Sequence, residues 1–307
     1  MSSYALLRLK VNGYTTTQMR KVKNYYFSVA DYIPSTTLRG AILAEYYHQT
    51  GKIDESFFVS PAYPINTAPA HYFSPAEKRK ASTFIEKRGI LKEKSEELDK
   101  GKEMIDIMEL DDPELKPKIG ALITYLGKED NYHKYTAYRS EAVILQHVAV
   151  SKGENIGTSE RGMLFAYEYK KLGEMWAIAK PSEVVDTVKE IRVGRGRSRG
   201  NKAIVIEKVK EIEIPDGKGL SYCLSPCVTS LFGKEIIAGK KQAIGDTSLY
   251  SGWFTLNTHA GQKPVFETLK EGSLIYVEKI NVDLRPAGLN FILKIEDLFD
   301  LLNRVRE

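Results

Sequence analysis

The chain has 307 residues, of which 42% are hydrophobic and 28% charged, and its formal net charge is +5 at pH 7. This composition is typical of a folded globular protein and excludes an intrinsically disordered one. No apolar run approaches the roughly 18 residues that a membrane helix needs. The first residues alternate like a strand and do not resemble a signal peptide, so we expect a cytoplasmic protein.

The chain holds few residues that bind transition metals, since it has two cysteines and five histidines. Cys223 and Cys227 are separated by three residues, which misses the two-residue gap of common zinc sites, and the sequence has no second cysteine pair. We therefore expect two ordinary thiols, no metal site and no cofactor.

A strand and a helix are predicted near the start of the chain. Residues 4–11 alternate in polarity and predict the first strand. Pro34 and Ser35 are typical of a helix N-terminus, and the apolar spacing after them predicts a helix over residues 35–48. Free backbone N–H groups at that N-terminus, beside Arg39, predict a position for a phosphate.

Residues 52–140 differ from the rest of the chain. Their first part is broken by prolines, and their second part is strongly charged, with lysine and glutamate interleaved. A helix is predicted over residues 78–108. We interpret the whole region as a large insertion into the frame of the fold.

Strand-like patterns return after the insertion. Apolar residues over 142–150 and 163–169 predict a long β-hairpin around a polar loop at 151–161. A helix that starts with proline is predicted over 181–191, and an alternating strand over 203–214 follows.

The order strand, helix, hairpin, helix, strand is βαββαβ. It predicts an α+β protein with a ferredoxin-like, RRM-like domain over residues 1–214, in which the four-stranded sheet is a common RNA-binding surface. Further strands and an amphipathic helix over 294–306 predict a smaller unit over 215–307, either a second ferredoxin-like unit or otherwise β-rich.

The segment between the second predicted helix and the next strand is rich in glycine and arginine. It reads Gly194, Arg195, Gly196, Arg197, Ser198, Arg199 and Gly200, with Lys202 just beyond. Glycines let a backbone approach a polyanion closely, and arginines make bidentate contacts with phosphates. The Gly-Lys-Ser/Thr ending of a nucleotide-binding P-loop is absent. The segment is interpreted as an RNA-contacting loop, with a solvated basic hairpin tip as the alternative.

The position and composition of this loop resemble the RAMP superfamily, the repeat-associated proteins of CRISPR systems. Residues 32–42 resemble the family's early motif of the type Ile-Pro-Gly-Ser-Ser-Leu-Arg-Gly, with Ser35 where glycine is usual. Residues 146–168 resemble its central hairpin. Residues 251–276 resemble the closing segment of subunits that grip the 5′ handle of the guide in type III complexes. These matches keep the family's order over most of the chain outside the insertion.

The resemblance implies a guide-RNA-binding subunit of a type III-like interference complex used in antiviral defence. Its implied partners are the guide RNA, a complementary target and other subunits of the complex. Because guides vary in sequence, we expect contacts with the sugar-phosphate backbone. The residues proposed for RNA contact are the seven of the glycine-rich loop, Lys202, Arg39 beside the first helix, and Lys152 in a hairpin thumb at 151–161.

Two other functions stay open at this point. The first is an endoribonuclease of the same superfamily, for which Asp31, His71 and His48 are weak catalytic candidates as general acids, bases or ligands. Each has an equally good structural interpretation, such as Asp31 turning the chain before Pro34. The second is a basic scaffold that binds neighbouring subunits and contacts RNA only incidentally.

Overall fold

The computed structural model describes residues 2–17, 19–28, 30–110, 112–150, 159–194, 203–215, 217–239, 242–256 and 259–306. The protein is α+β, as predicted, and strands greatly outnumber helices. The four α-helices of these ranges are α1 (Ser35–Thr50), α2 (Ile90–Asp99), α3 (Ser182–Thr187) and α4 (Leu298–Arg304). The strands are β1 (Ser2–Thr15), β2 (Met19–Val22), β3 (Tyr25–Ser28), β4 (Phe58–Val59), β5 (Tyr63–Pro64), β6 (Thr67–Pro69), β7 (Ala76–Glu77), β8 (Thr83–Lys87), β9 (Leu115–Lys116), β10 (Leu122–Glu129), β11 (Tyr132–Ala137), β12 (Glu141–Val150), β13 (Ser159–Lys180), β14 (Glu190–Ile191), β15 (Ile204–Ile214), β16 (Gly219–Cys223), β17 (Ser230–Leu231), β18 (Lys234–Glu235), β19 (Ile237–Ala238), β20 (Ala243–Ile244), β21 (Thr247–Tyr250), β22 (Trp253–Leu256), β23 (His259–Gln262), β24 (Phe266–Leu269), β25 (Leu274–Val277), β26 (Lys279–Ile280) and β27 (Ile292–Leu293).

The largest sheet is built around β1. Its path runs β14, β15, β1, β13, β3, β2, and β12, β4 and β5 also pair with β13. β1 is antiparallel to both β13 and β15, and β12 and β13 form the predicted long hairpin. β13 also continues through the segment beyond the hairpin, so a single strand serves both pairings.

Both faces of β1 are buried because its side chains alternate between two cores. Leu7 and Leu9 face the core formed with α1 and α3, where Leu38 and Val184 also pack. Leu6 faces the opposite core, which extends into the insertion and the C-terminal part of the chain. Each such leucine contributes about 1.5–3 kcal/mol when fully buried, so the central strand is held from both sides.

Within residues 52–140, β4 and β5 pair with β13 of the largest sheet, and the other strands form a separate sheet of order β6, β10, β11, β8, β7, β9. The helix predicted over 78–108 is present only as α2 (Ile90–Asp99), and the prediction is wrong for the rest of that range. Its first part is β8, in which Phe84 and Glu86 are buried and their neighbours are half-buried, a period of two that belongs to a strand. The helix α2 starts only after Gly89, whose φ of +65° ends the extended segment.

The C-terminal part of the chain contributes a sheet of order β20, β25, β16, β27 and several short hairpins. Its residues Tyr222 and Leu301 lie in the same core as Tyr135 of the insertion, so these two regions pack against one another. The helices α3 and α4 are shorter than the predicted segments 181–191 and 294–306. In α3 this is because Val188 is already extended, with φ −89° and ψ 115°. No helix among the residues described above is long and apolar enough to cross a membrane.

Candidate nucleic-acid interface

A cleft of about 750 Å³ lies where three distant segments of the chain meet. Its walls are the start of α1, the residues 192–194 at the base of the glycine-rich loop, and the C-terminal residues 248–252 with Lys263 and Glu271. Its size lies within the range of about 300–1,000 Å³ that is common for ligand sites. Three of the segments singled out in the sequence are therefore brought together in space.

The start of α1 supplies backbone donors and hydroxyl groups to this cleft. The N–H groups of Thr37 and Leu38 both donate to the carbonyl of Pro34 at 3.0 Å. Among the described residues, the N–H groups of Ser35 and Thr36 have no acceptor, and Thr36 and Thr37 line the cleft. Free N–H groups at a helix start carry a partial positive charge that favours an anion.

The C-terminal part of the chain approaches the start of α1 closely at a glycine, Gly288. Gly288 has φ +79°, and a Cβ there would lie 2.5 Å from Cγ2 of Thr36 and 3.1 Å from its backbone nitrogen. A larger residue would push the two walls of the cleft apart. The close approach therefore sets the width of the cleft.

The base of the glycine-rich loop packs just as closely against the residue that follows β1, Thr16. Gly194 has φ +80°, and a Cβ there would meet the carbonyl oxygen of Thr16. Arg192 is exposed and lines the cleft two residues earlier. The remaining predicted contact residues lie outside the described residues: Arg195, Gly196, Arg197, Ser198, Arg199, Gly200, Lys202 and Lys152.

Two cations, Lys263 and Arg39, lie near one another beside the cleft. The Nζ of Lys263 is 5.7 Å from the ring centroid of Tyr250, which also lines the cleft. Burial lowers the pKa of the Lys263 ammonium below its ordinary 10.5, and the positive charge of Arg39 lowers it further. Two mutually repelling cations gain from an anion placed near both.

Arg39 has a structural role as well. Its Nε donates to the carbonyl of Phe57 at 2.6 Å and its Nη2 to the carbonyl of Glu55 at 2.9 Å. Burial lowers the pKa of this guanidinium, with opposition from Asp54 and Glu55. These bonds orient the side chain, and no described residue accepts a hydrogen bond from its Nη1.

The cleft also contains a carboxylate, Glu271, which is not among the site residues predicted from the sequence. Glu271 is only 7% exposed, and the hydroxyl of Tyr32 donates to its Oε1 at 2.6 Å. Burial, the charge of Glu271 and this hydrogen bond raise the pKa of the Tyr32 hydroxyl well above its usual value, so Tyr32 stays a donor. The signal in the sequence that points to Glu271 is its position within residues 251–276, which resemble the closing segment of RAMP subunits.

The three weak catalytic candidates have different interaction partners and no partner in common among the described residues. Asp31 accepts a hydrogen bond from the hydroxyl of Ser140 at 2.5 Å and forms an ion pair with Lys170 at 3.0 Å. His71 is fully buried, and Glu86 lies 2.7 Å from its Nε2. His48 is at the exposed end of α1. Within the described residues, no group of three His, Cys, Asp or Glu side chains is placed to hold a metal ion.

No family model matches the sequence, and no curated protein matches it. Solved structures do show similarity. One is the cryo-EM structure of type III-B Cmr-beta bound to cognate target RNA and AMPPnP, with 12% identity, a TM-score of 0.46 and coverage of 88% of this chain and 85% of that chain.

Two further cryo-EM structures of type III-B Cmr-beta are similar as well. The complex bound to cognate target RNA has 11% identity, a TM-score of 0.45 and coverage of 88% of this chain and 85% of that chain. The apo state has 11% identity, a TM-score of 0.34 and coverage of 68% and 97%. All three of these structures are of type III-B Cmr-beta.

Proposed function

We propose that the chain is a guide-RNA-binding subunit of a type III-like CRISPR interference complex. The observation that carries this proposal is the cleft, where the base of the glycine-rich loop, the start of α1 and Lys263 meet. These groups are of the kinds that bind phosphate oxygens: cationic side chains, backbone N–H groups and hydroxyls.

The electrostatics of the cleft favour a polyanion over a neutral ligand. Lys263 and Arg192 line the cleft, and Arg39 lies close enough to Lys263 for the two cations to repel each other. A run of phosphates would neutralise these charges and release condensed counterions, which is the main source of sequence-independent affinity for nucleic acids. Such binding suits a guide whose sequence varies.

The finer fold assignment belongs to the same proposal. The neighbouring strands β15, β1 and β13, with β12 paired to β13, have the antiparallel arrangement expected of a ferredoxin-like βαββαβ domain over residues 1–214. The helices α1 and α3 pack on one face of this sheet. In this frame the tip of the β12–β13 hairpin, with Lys152, is the proposed thumb, and the insertion at 52–140 and the unit at 215–307 are additions.

The test is the affinity for single-stranded RNA as a function of salt, for the wild type and for a variant with Arg195, Arg197 and Arg199 changed to alanine. Each phosphate contact contributes about 0.7 to the slope of log affinity against log salt for single strands. If three contacts are lost, the slope should fall by about two units. A scaffold that contacts RNA only incidentally predicts an unchanged slope and an unchanged affinity, and that result would refute the proposal.

The matched control removes the same charge from another surface. Arg79, Lys100 and Lys128 are exposed in the insertion, and changing all three to alanine alters the net charge equally. We expect the control to change the salt slope by much less than the loop variant. Equal effects of the two variants would mean that net charge, and not the loop, governs RNA binding.

A further inference from the structure

One group in the cleft does not fit phosphate binding at all. The buried carboxylate of Glu271 lines the same cavity as Arg192 and Lys263. A carboxylate repels a phosphate and can only accept hydrogen bonds. Its presence in a site for RNA therefore points to a part of the nucleotide that carries N–H donors, which is the edge of a base.

The hydrogen bonds of Glu271 leave room for such a donor. Its Oε1 accepts from the hydroxyl of Tyr32, while its Oε2 accepts no hydrogen bond from any described residue. No described lysine or arginine forms an ion pair with it, although Lys270 is its neighbour and reaches the carbonyl of Ile119 at 3.5 Å instead. A buried carboxylate with unused acceptor capacity gains most from a ligand that donates to it.

The walls beside Glu271 suit a base that has left its stack. Tyr32, Pro34, Pro61 and Pro226 line the cavity together with Glu271. Flat or rigid apolar groups of this kind accept the face of an unstacked base, while polar groups read its edge. The phosphate-binding groups and the edge-reading group are thus placed in one cavity.

The four bases differ in how well they match a carboxylate. Guanine presents two adjacent donors, N1–H and the 2-amino group, which match the two oxygens of a carboxylate. Cytosine and adenine present one amino group beside a ring acceptor that faces the second oxygen unfavourably. Uracil presents one N–H between two carbonyl oxygens, so it is the poorest match.

We propose that this cleft takes one unstacked nucleotide of the bound RNA, with its base edge hydrogen-bonded to Glu271, and that it prefers guanine. This inference rests on the proposed function and adds base specificity to it. Most of the RNA is held through its phosphates, and one position is read by its base.

The first test uses the full-length wild-type chain and eight-nucleotide uridine RNAs that carry one guanosine at successive positions. We expect one or two positions of the guanosine to raise the affinity about tenfold over the all-uridine RNA. Inosine, which lacks the 2-amino group, should give a smaller gain at that position, and 1-methylguanosine should give none. Equal affinities for all these RNAs would overturn the inference.

The second test asks whether Glu271 is the residue that recognises the guanine base. Glu271→Gln keeps an acceptor for Tyr32 but replaces the second oxygen with a donor, so the preference for guanosine should be lost. Glu278→Gln is the matched control, because it removes the same charge from an exposed residue that does not line the cleft, and it should keep the preference. A preference that persists in Glu271→Gln would overturn the assignment, and the analogue series in the wild type needs no variant to fold.

The salt dependence separates this inference from the function beneath it. If the all-uridine RNA binds with the steep salt slope described above but guanosine adds nothing, the RNA-binding function stands and the base reading fails. If the wild type shows no salt-dependent binding of any of these RNAs, both fail.

Discussion

The Nε2 atom of His71 lies 2.7 Å from Oε1 of Glu86, and both side chains are fully buried. The backbone N–H of Phe73 donates to Nδ1 of the same ring at 3.1 Å, so Nε2 carries the proton and donates to Glu86. Glu86 also accepts from the hydroxyl of Tyr135 at 2.5 Å and from the N–H of Leu298 at 3.0 Å. The pair joins β8 to the start of α4, and neither side chain is exposed to solvent.

This network predicts a large effect on stability. Glu86→Ala leaves the donors of His71, Tyr135 and Leu298 buried without an acceptor, so we expect the free energy of unfolding to fall by about 3–5 kcal/mol. Denaturant unfolding measures it. His48→Ala is the control, because His48 is exposed and its loss should change stability by no more than about 0.5 kcal/mol. A loss below about 1 kcal/mol for Glu86→Ala would contradict the prediction.

Substitutions at Gly194 and Gly173 distinguish the effect of backbone strain from the effect of a steric clash. Both have positive φ angles, +80° and +67°, but a Cβ at Gly173 meets open space, whereas one at Gly194 meets the Thr16 carbonyl. Gly173→Ala should lower the free energy of unfolding by about 1–2 kcal/mol. Gly194→Ala should cost more, and it alone should weaken RNA binding because the loop base must move. Equal RNA affinities of the two variants would show that the loop base does not position the contact residues.

Arg39 is predicted to act both in the fold and on RNA. Arg39→Ala removes two hydrogen bonds to the carbonyls of Phe57 and Glu55, so unfolding should become easier by about 1–3 kcal/mol. Loss of one phosphate contact should also lower the salt slope of RNA binding by about 0.7. Arg39→Lys keeps the positive charge but cannot make both guanidinium hydrogen bonds. It should therefore retain the salt slope of RNA binding but not the free energy of unfolding of the wild type. A slope unchanged in Arg39→Ala would make this residue purely structural.

The lowered pKa of Lys263 gives RNA binding a dependence on pH. Binding of a phosphate favours the charged ammonium, so the pKa rises on binding and protons are taken up between the lowered pKa and about 10.5. The affinity for RNA should therefore fall as the pH rises through that window. Lys263→Arg, which stays charged, should flatten this part of the profile, and an identical profile in the variant would contradict the prediction.

The same shift acts on folding with the opposite sign. In that window the unfolded chain binds more protons at Lys263 than the folded chain does, so this residue makes the RNA-free protein more stable as the pH rises. The contribution is measured as the difference between the wild type and Lys263→Arg in unfolding experiments across the window. A parallel pH dependence of both proteins would argue against burial of the ammonium.

Local sequence patterns predicted those helices and strands whose formation depends mainly on residues that are close in sequence. The start of α1 at Ser35 and the β12–β13 hairpin follow from a proline-initiated apolar period and from alternation in two adjacent segments. The charged residues around Glu86 predict a helix, but this segment is the strand β8. Glu86 is buried there because His71 and Tyr135 form hydrogen bonds with its carboxylate. Composition alone assigns such a residue to a solvated helix.

By itself, the sequence determined the α+β class, the order of the central elements and the concentration of positive charge at one loop, because periodicity and composition are local properties. Only the tertiary structure decided that Tyr32 and Glu271, 239 residues apart, share a hydrogen bond, and that Gly288 lies against the start of α1. Such contacts depend on how two separately formed faces pack, and packing is set by shape complementarity between distant side chains. The cleft, and the carboxylate inside it, exist only at that level.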